Sequence, residues 1–139
     1  MTGPIYLLDT DIVSYSVKGR HRSIAERIAL LDPADYAISV MTRAELLFGL
    51  HLVPPIHPAH LRVRKFLGEV QTLDWGQDAA DTYALLRHQL QVKCTPMDHL
   101  DLMIAAHAIS LAAVLVTNNT RHFQHLAPSL MIENWADAT

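Results

Sequence analysis

Asp9, Glu45, Asp101 and Asn119 are the residues of this chain whose types and placement could do chemistry together. Several carboxylates converging on one pocket repel each other unless one protonates or a cation enters. Hard oxygen donors of this kind suit Mg²⁺, with Mn²⁺ as a substitute, and such cations accept phosphate oxygens from a substrate. The site can then activate water and stabilise the charge on a scissile phosphodiester, through one ion or through two held about 3.5–4 Å apart. The chemistry to look for is metal-dependent phosphodiester hydrolysis.

Taken singly, each residue has an ordinary reading. Glu45 alone would be a solvated helix residue, Asp101 a partner of a helix N-terminus, and Asn119 a turn residue. Asp11, close to Asp9, reads as a helix cap rather than a ligand. Only the joint placement is informative, so the elements that carry these side chains decide the matter.

Ile5-Tyr6-Leu7-Leu8 is an almost uninterrupted apolar run, bounded upstream by Gly3-Pro4 and ending on Asp9. Continuous rather than alternating apolar character fits a strand buried on both faces, as in a parallel sheet covered by helices. Asp9 then lies at the carboxyl end, where open α/β sheets place their ligands. Thr10 or Asp11 can cap a short helix through about Val17, and Ser23 can cap the next, where Ile24, Ile28 and Leu31 share a face. Tyr36 to Ser39 reads as a short strand, and Ser39 or Thr42 starts a helix through about Leu52, before Pro54-Pro55. Thr42, Glu45 and Gly49 form a polar, uncrowded stripe of that helix.

A further helix over 57–71 buries Val63, Phe66, Leu67 and Val70 and carries Arg62, Arg64 and Lys65 on its other side. Residues 72–75 read as a strand, and a helix opening at Asp78 fades near Cys94. Residues 98–112 form the most apolar helix, in which Asp101, Ala105, Ala108 and Ala112 share a stripe narrow enough to lie close to a sheet. Val114 to Val116 is a buried-type strand, followed by a turn at 117–120, a short helix around Phe123 and an edge strand over 130–132. Strands alternating with helices predict a three-layer α/β/α sandwich with a mainly parallel sheet, as one domain over 1–139. If the first and fourth strands are neighbours, Asp9 and Asn119 emerge side by side.

Composition is that of a globular protein, with 50% apolar and 18% charged residues. No apolar run approaches the roughly 20 residues of a spanning helix, so the expectation is a soluble cytoplasmic protein with no membrane partner. Cys94 is the lone cysteine and cannot form an intrachain disulfide. The nine histidines show no metal-site pattern, and His107 reads as a satisfied, partly buried residue. A net charge of −3 sets a condition on any nucleic-acid partner: local basic residues or bound cations must reverse the field where the partner binds.

The chain resembles the PIN-domain ribonucleases, and within them the VapC-type toxins of bacterial toxin–antitoxin pairs. The resemblance rests on Leu7-Leu8-Asp9-Thr10-Asp11-Ile12, on Ile38 through Gly49, on Leu73-Asp74, on Asp101-Leu102-Met103-Ile104-Ala105-Ala106-His107-Ala108, and on Val116 through Phe123. It implies that Asp9, Glu45 and Asp101 surround Mg²⁺, with Asp9 and Asp101 as direct ligands. Asn119 falls where many relatives carry a fourth acid, and Thr10 and Thr117 where hydroxyls lie near the metal or attacking water. Arg43, Arg121 and the Arg62-Arg64-Lys65 cluster are candidates for phosphate contacts, Arg43 best placed of them. The resemblance further implies an RNA substrate, with tRNA among the candidates, a cognate VapB-type antitoxin and a homodimer. Leu50, Leu52, Val53 and Ile56 are candidates for partner surface.

Two departures stand out: Cys94 replaces a glycine common in relatives, and Asp98 replaces a small residue. Asp98 is either an additional acid beside Asp101 or, as favoured here, a helix cap. Two rival readings remain. Asp9-x-Asp11-x-Val13 after an apolar strand formally matches the nucleophile motif of haloacid-dehalogenase-type phosphatases, with Asp11 as general acid. A catalytically inactive PIN domain would act only as a binding module, which the intact acid set argues against.

Overall fold

The short apolar runs are the strands of one parallel sheet. In the computed structural model, which describes residues 3–136, these are β1 (Tyr6–Leu8), β2 (Tyr36–Ser39), β3 (Gln71–Leu73), β4 (Val114–Val116) and β5 (Ile132–Glu133). Their order is β3-β2-β1-β4-β5, with all four pairings parallel. β1 is therefore central, its Leu7 paired with Ala37 on one side and Leu115 on the other.

Leu7 and Leu8 are both fully buried, but in different cores. Leu7 joins Ala37 and Leu115 beneath α5 (Gln77–Val92) and α6 (His99–Ser110). Leu8 joins Ile38 and Val116 against α1 (Thr10–Val17), α2 (Arg22–Ala29), α3 (Val40–His51) and α4 (Ala59–Glu69). Successive strand residues point to opposite faces, so helices on both faces require an unbroken apolar run. Each such leucine contributes about 2 kcal/mol by leaving water. A short α7 (Thr120–Phe123) follows β4 and anchors Phe123 in the first core.

The predicted elements appear with shifted ends. The strand expected over 72–75 is Gln71–Leu73, and the last strand begins two residues later than expected, at Ile132. α1 is capped by Asp9 rather than by Thr10 or Asp11. Ser23 does not cap α2; its hydroxyl donates to the Trp135 carbonyl at 2.6 Å. The small-residue stripe of α6 stops at the fully buried Ala105 and Ala108, because the helix ends at Ser110 and Ala112 is exposed with φ 54°. Of the candidate partner surface, Leu52 and Ile56 are exposed and Val53 half-buried, while Leu50 belongs to the second core. No helix among the described residues is long and apolar enough to cross a membrane.

Candidate active site

The site begins where β1 and β4 end beside each other. The Asp9 N–H donates to the Val116 carbonyl at 2.9 Å, carrying the ladder one residue past β1 and setting the Asp9 side chain against Thr117. One carboxylate oxygen of Asp9 accepts from the Thr10 N–H at 2.8 Å, and the other from the Thr117 hydroxyl at 2.8 Å. Asp9 is buried at 5% exposure, and Thr117 is fully buried. A hydroxyl has one proton to give. Thr117 gives it to Asp9 rather than to Asp11, which lies farther away at 3.4 Å.

Asp11 has its own work at this edge. Its carboxylate accepts from the Asn118 N–H at 3.0 Å and from the Ile12 N–H at 2.7 Å, strapping the start of α1 to the turn after β4. The phosphatase reading needs Asp11 as a proton donor facing the nucleophile; here it is a hydrogen-bond acceptor for the backbone.

The helices supply the other acids. Ser39 caps α3, its hydroxyl oxygen accepting from the Met41 N–H at 3.1 Å. From that start, Thr42 is fully buried and Glu45 only partly so. The Thr10 hydroxyl donates to Glu45 Oε1 and lies 3.2 Å from the Thr42 hydroxyl, linking α1 to the polar stripe of α3. Asp98 caps α6 as expected, accepting from the N–H groups of Leu100 and Asp101 at 3.2 and 3.3 Å. Asp101 follows in the first turn, its Oδ2 3.5 Å from Nδ1 of His122. The same ring nitrogen lies 3.1 Å from the Asn119 amide nitrogen, so His122 bridges the acid and the amide.

The electrostatics are those of crowded anions. Burial pushes the Asp9 carboxyl up to about 7, with the charge of Asp11 adding to the effect, while the Thr117 and Thr10 hydrogen bonds oppose it. Burial likewise raises Asp11, Glu45 and Asp101, and the Asp101 charge contributes to raising Asp9, Asp11 and Glu45. The four acids therefore sense one another, and each is harder to ionise than in water. A cation beside such carboxylates favours their ionised forms. Among the described residues no three metal-ligating side chains are drawn together tightly enough to enclose an ion. The carboxylates are hard oxygen donors, of which Mg²⁺ takes one or two and fills its shell with water and substrate oxygens.

The candidate phosphate contacts divide. Arg43 and Glu45 are neighbours in sequence but about 200° apart around α3. Arg43 lines a separate cleft with Leu47, Arg64 and Gly68, so its expected place beside the acids is corrected. Arg121 is exposed on α7, without an ion pair to another described residue. The cations that do approach are Lys18 and Arg62, which line a cleft of about 370 Å³ with Thr10 and Glu45, walled by Leu46, Leu50 and Val63. Neither Lys18 nor His122 stands out as a candidate in the sequence. His107 is buried and satisfied, with Nδ1 2.8 Å from the Ser39 hydroxyl.

Residues 6–127 match the family model of the PIN domain. The chain is 33% identical over 132 residues to ribonuclease VapC2 of Rickettsia felis, covering 94% of this chain and 98% of the relative. It is 35% identical over 132 residues to the tRNA(fMet)-specific endonuclease VapC of Salmonella typhimurium, covering 94% and 97%. The fold is similar to that in the DNA-bound VapBC crystal structure from Salmonella typhimurium, with a TM-score of 0.88 and 32% identity over 96% of this chain and 99% of that one. It is also similar to that in VapBC2 from Rickettsia felis bound to a promoter DNA fragment, with a TM-score of 0.84 and 32% identity over 94% and 98%.

Proposed function

The chain belongs to the PIN-domain family, and on that premise we propose that it is a ribonuclease toxin of the VapC type that hydrolyses RNA phosphodiester bonds with Mg²⁺ and is neutralised by a VapB-type antitoxin. The observation that carries this reading is the gathering of Asp9, Glu45 and Asp101, from three separate elements, into a set whose carboxyls all resist ionisation. Divalent-metal dependence is general among PIN-domain nucleases. Asp9 and Asp101 are the proposed metal ligands, and Mn²⁺ a substitute cation.

When bound, the cation supplies Lewis acidity to the scissile phosphate and lowers the pKa of attacking water. The chain's own residues do the rest. Thr117 holds one Asp9 oxygen and the Thr10 N–H the other, so Asp9 presents its remaining lone pairs in a fixed orientation. Glu45, raised in proton affinity and oriented by Thr10, takes up a proton from the attacking water. Asn119 stands in for a fourth acid as a neutral group beside His122, which lowers the charge of the set and disfavours a second ion. Lys18 and Arg62 draw the RNA backbone to the Glu45 side of the site.

A tRNA is the proposed substrate class, by similarity to the Salmonella typhimurium endonuclease. A homodimer is proposed as well, with the exposed Leu52 and Ile56 as candidate contact residues. The test is incubation of the purified protein with total RNA in Mg²⁺, in EDTA, and with Asp9→Asn. Cleavage that needs both the cation and Asp9 is expected. Cleavage that survives EDTA or Asp9→Asn sinks the proposal.

A further inference from the structure

The acids face one flank of the first turn of α6, and the other flank opens into a second cleft. Between the end of α5 and the start of α6 lies a cavity of about 410 Å³, a size typical of small-ligand sites. Leu90 and Leu102, both nearly fully buried, give it an apolar floor. Arg87, Gln91 and His99 line it as exposed polar groups. Arg87 forms no ion pair with another described residue.

His99 is held in place from behind. Its Nδ1 lies 2.9 Å from the Tyr83 hydroxyl. Tyr83 packs edge-on against Trp75 with ring centroids 6.0 Å apart, and Trp75 Nε1–H donates to the Met103 carbonyl at 2.9 Å. The ring is thus oriented before any ligand arrives, and Nε2 remains for a hydrogen bond to it. His99 and Asp101 are about 200° apart around α6, on opposite flanks of a helix ~10 Å across. A strand laid over the start of α6 meets the acids on one side and this cleft on the other.

We propose that this cleft binds a nucleobase of the RNA, adjacent to the scissile phosphate, with Arg87 and His99 as its polar contacts. The inference rests on the ribonuclease reading and assigns it a site of base selectivity. A nucleobase is flat, apolar on its faces and hydrogen-bonding along its edge, which matches an apolar floor with three polar side chains around it. Single-stranded RNA presents such bases splayed from the stack. Arg87, without an ion pair among the described residues, also gives this flank a positive group for the neighbouring phosphate, in a chain of net charge −3.

Cys94 lines the same cleft, is exposed, and is the only cysteine of the chain, so its alkylation by N-ethylmaleimide reports occupancy. In Asp9→Asn protein, a saturating single-stranded RNA of mixed sequence is expected to slow alkylation about tenfold, whereas an abasic strand of the same length leaves it fast. In the protein with Asp9 intact, Arg87→Ala and His99→Ala each raise KM about tenfold and redistribute the bonds cut, with kcat changed far less. RNA that binds by fluorescence anisotropy yet leaves Cys94 equally reactive overturns the base site while the nuclease reading stands. So does unaltered KM and bond choice in both variants. If the unmutated protein cuts no RNA, the nuclease reading fails and the base site falls with it.

Discussion

Asp9 and Asp101 bring the same functional group to one site but are held in different ways. Asp9 is buried at the end of the central strand, each oxygen already accepting a hydrogen bond. Asp101 is partly exposed in the first turn of a helix, and its side chain has only the 3.5 Å approach of an exposed histidine. In the proposed site the sheet edge therefore supplies a fixed ligand, its orientation settled by folding. The helices there supply Asp101 as a ligand, and Glu45 as a proton acceptor, that can adjust to a cation and substrate. A strand end shared by two parallel neighbours is hard to displace, whereas a half-exposed side chain reorients at little cost in free energy.

The largest effects should come from the acids themselves and should expose that difference. Asp9→Asn and Asp101→Asn are each expected to lower cleavage by about 10³-fold, as for loss of a main electrostatic group. Lengthening by one methylene separates the two: Asp9→Glu falls as far as Asp9→Asn, while Asp101→Glu keeps roughly a tenth of the activity, because its surroundings can give. Equal losses in the two Glu variants, measured as kcat/KM on one RNA, would remove the distinction between fixed and adjustable ligands.

Next in size is Thr117→Val, which removes the hydroxyl that orients Asp9 while keeping the shape. It should weaken metal affinity by about 10–100-fold, as read by the Mg²⁺ dependence of cleavage. His122→Ala on the adjustable side should do less, about threefold to tenfold, since Asp101 keeps its place in the helix. A larger loss for His122→Ala than for Thr117→Val would reverse the account.

Most of the scaffold was legible in the sequence because the strands are buried on both faces and the helices carry clear apolar stripes. Tyr36–Ser39 and Val114–Val116 were read at their observed bounds for that reason. Less legible was what depends on packing between distant segments. Arg43 was favoured for its nearness to Glu45 in sequence, but the turn of α3 sends it to the far side, and Lys18 and Arg62 arrive instead from α1 and α4. Asp9 was read as a ligand and its neighbours as caps, whereas the cap of α1 is the Asp9 carboxylate itself. The tie between Asp11 and Asn118 spans most of the chain, so no local pattern announces it.

The smallest predicted effect lies in the scaffold beneath α3. Burial pushes His107 below the ordinary histidine value of 6.5, so the unfolded chain takes up a proton first as pH falls. The stability contributed by the neutral ring is full above about 6.5 and is lost as pH falls through the lower folded-state value, with a slope of at most about 1.4 kcal/mol per pH unit. His107→Gln, able to keep the bond to Ser39, should flatten that decline in urea-melt stability measured between pH 7 and 5. An unchanged decline would mean that His107 is not its source.

The most direct test of the central claim is the melting temperature at pH 7.5 as a function of Mg²⁺. If Asp9 and Asp101 hold the cation that relieves their repulsion, the unmutated protein gains about 5 °C or more at saturating Mg²⁺, and Asp9→Asn and Asp101→Asn gain almost none. An equal rise in all three proteins, or no rise in the unmutated one, would contradict it.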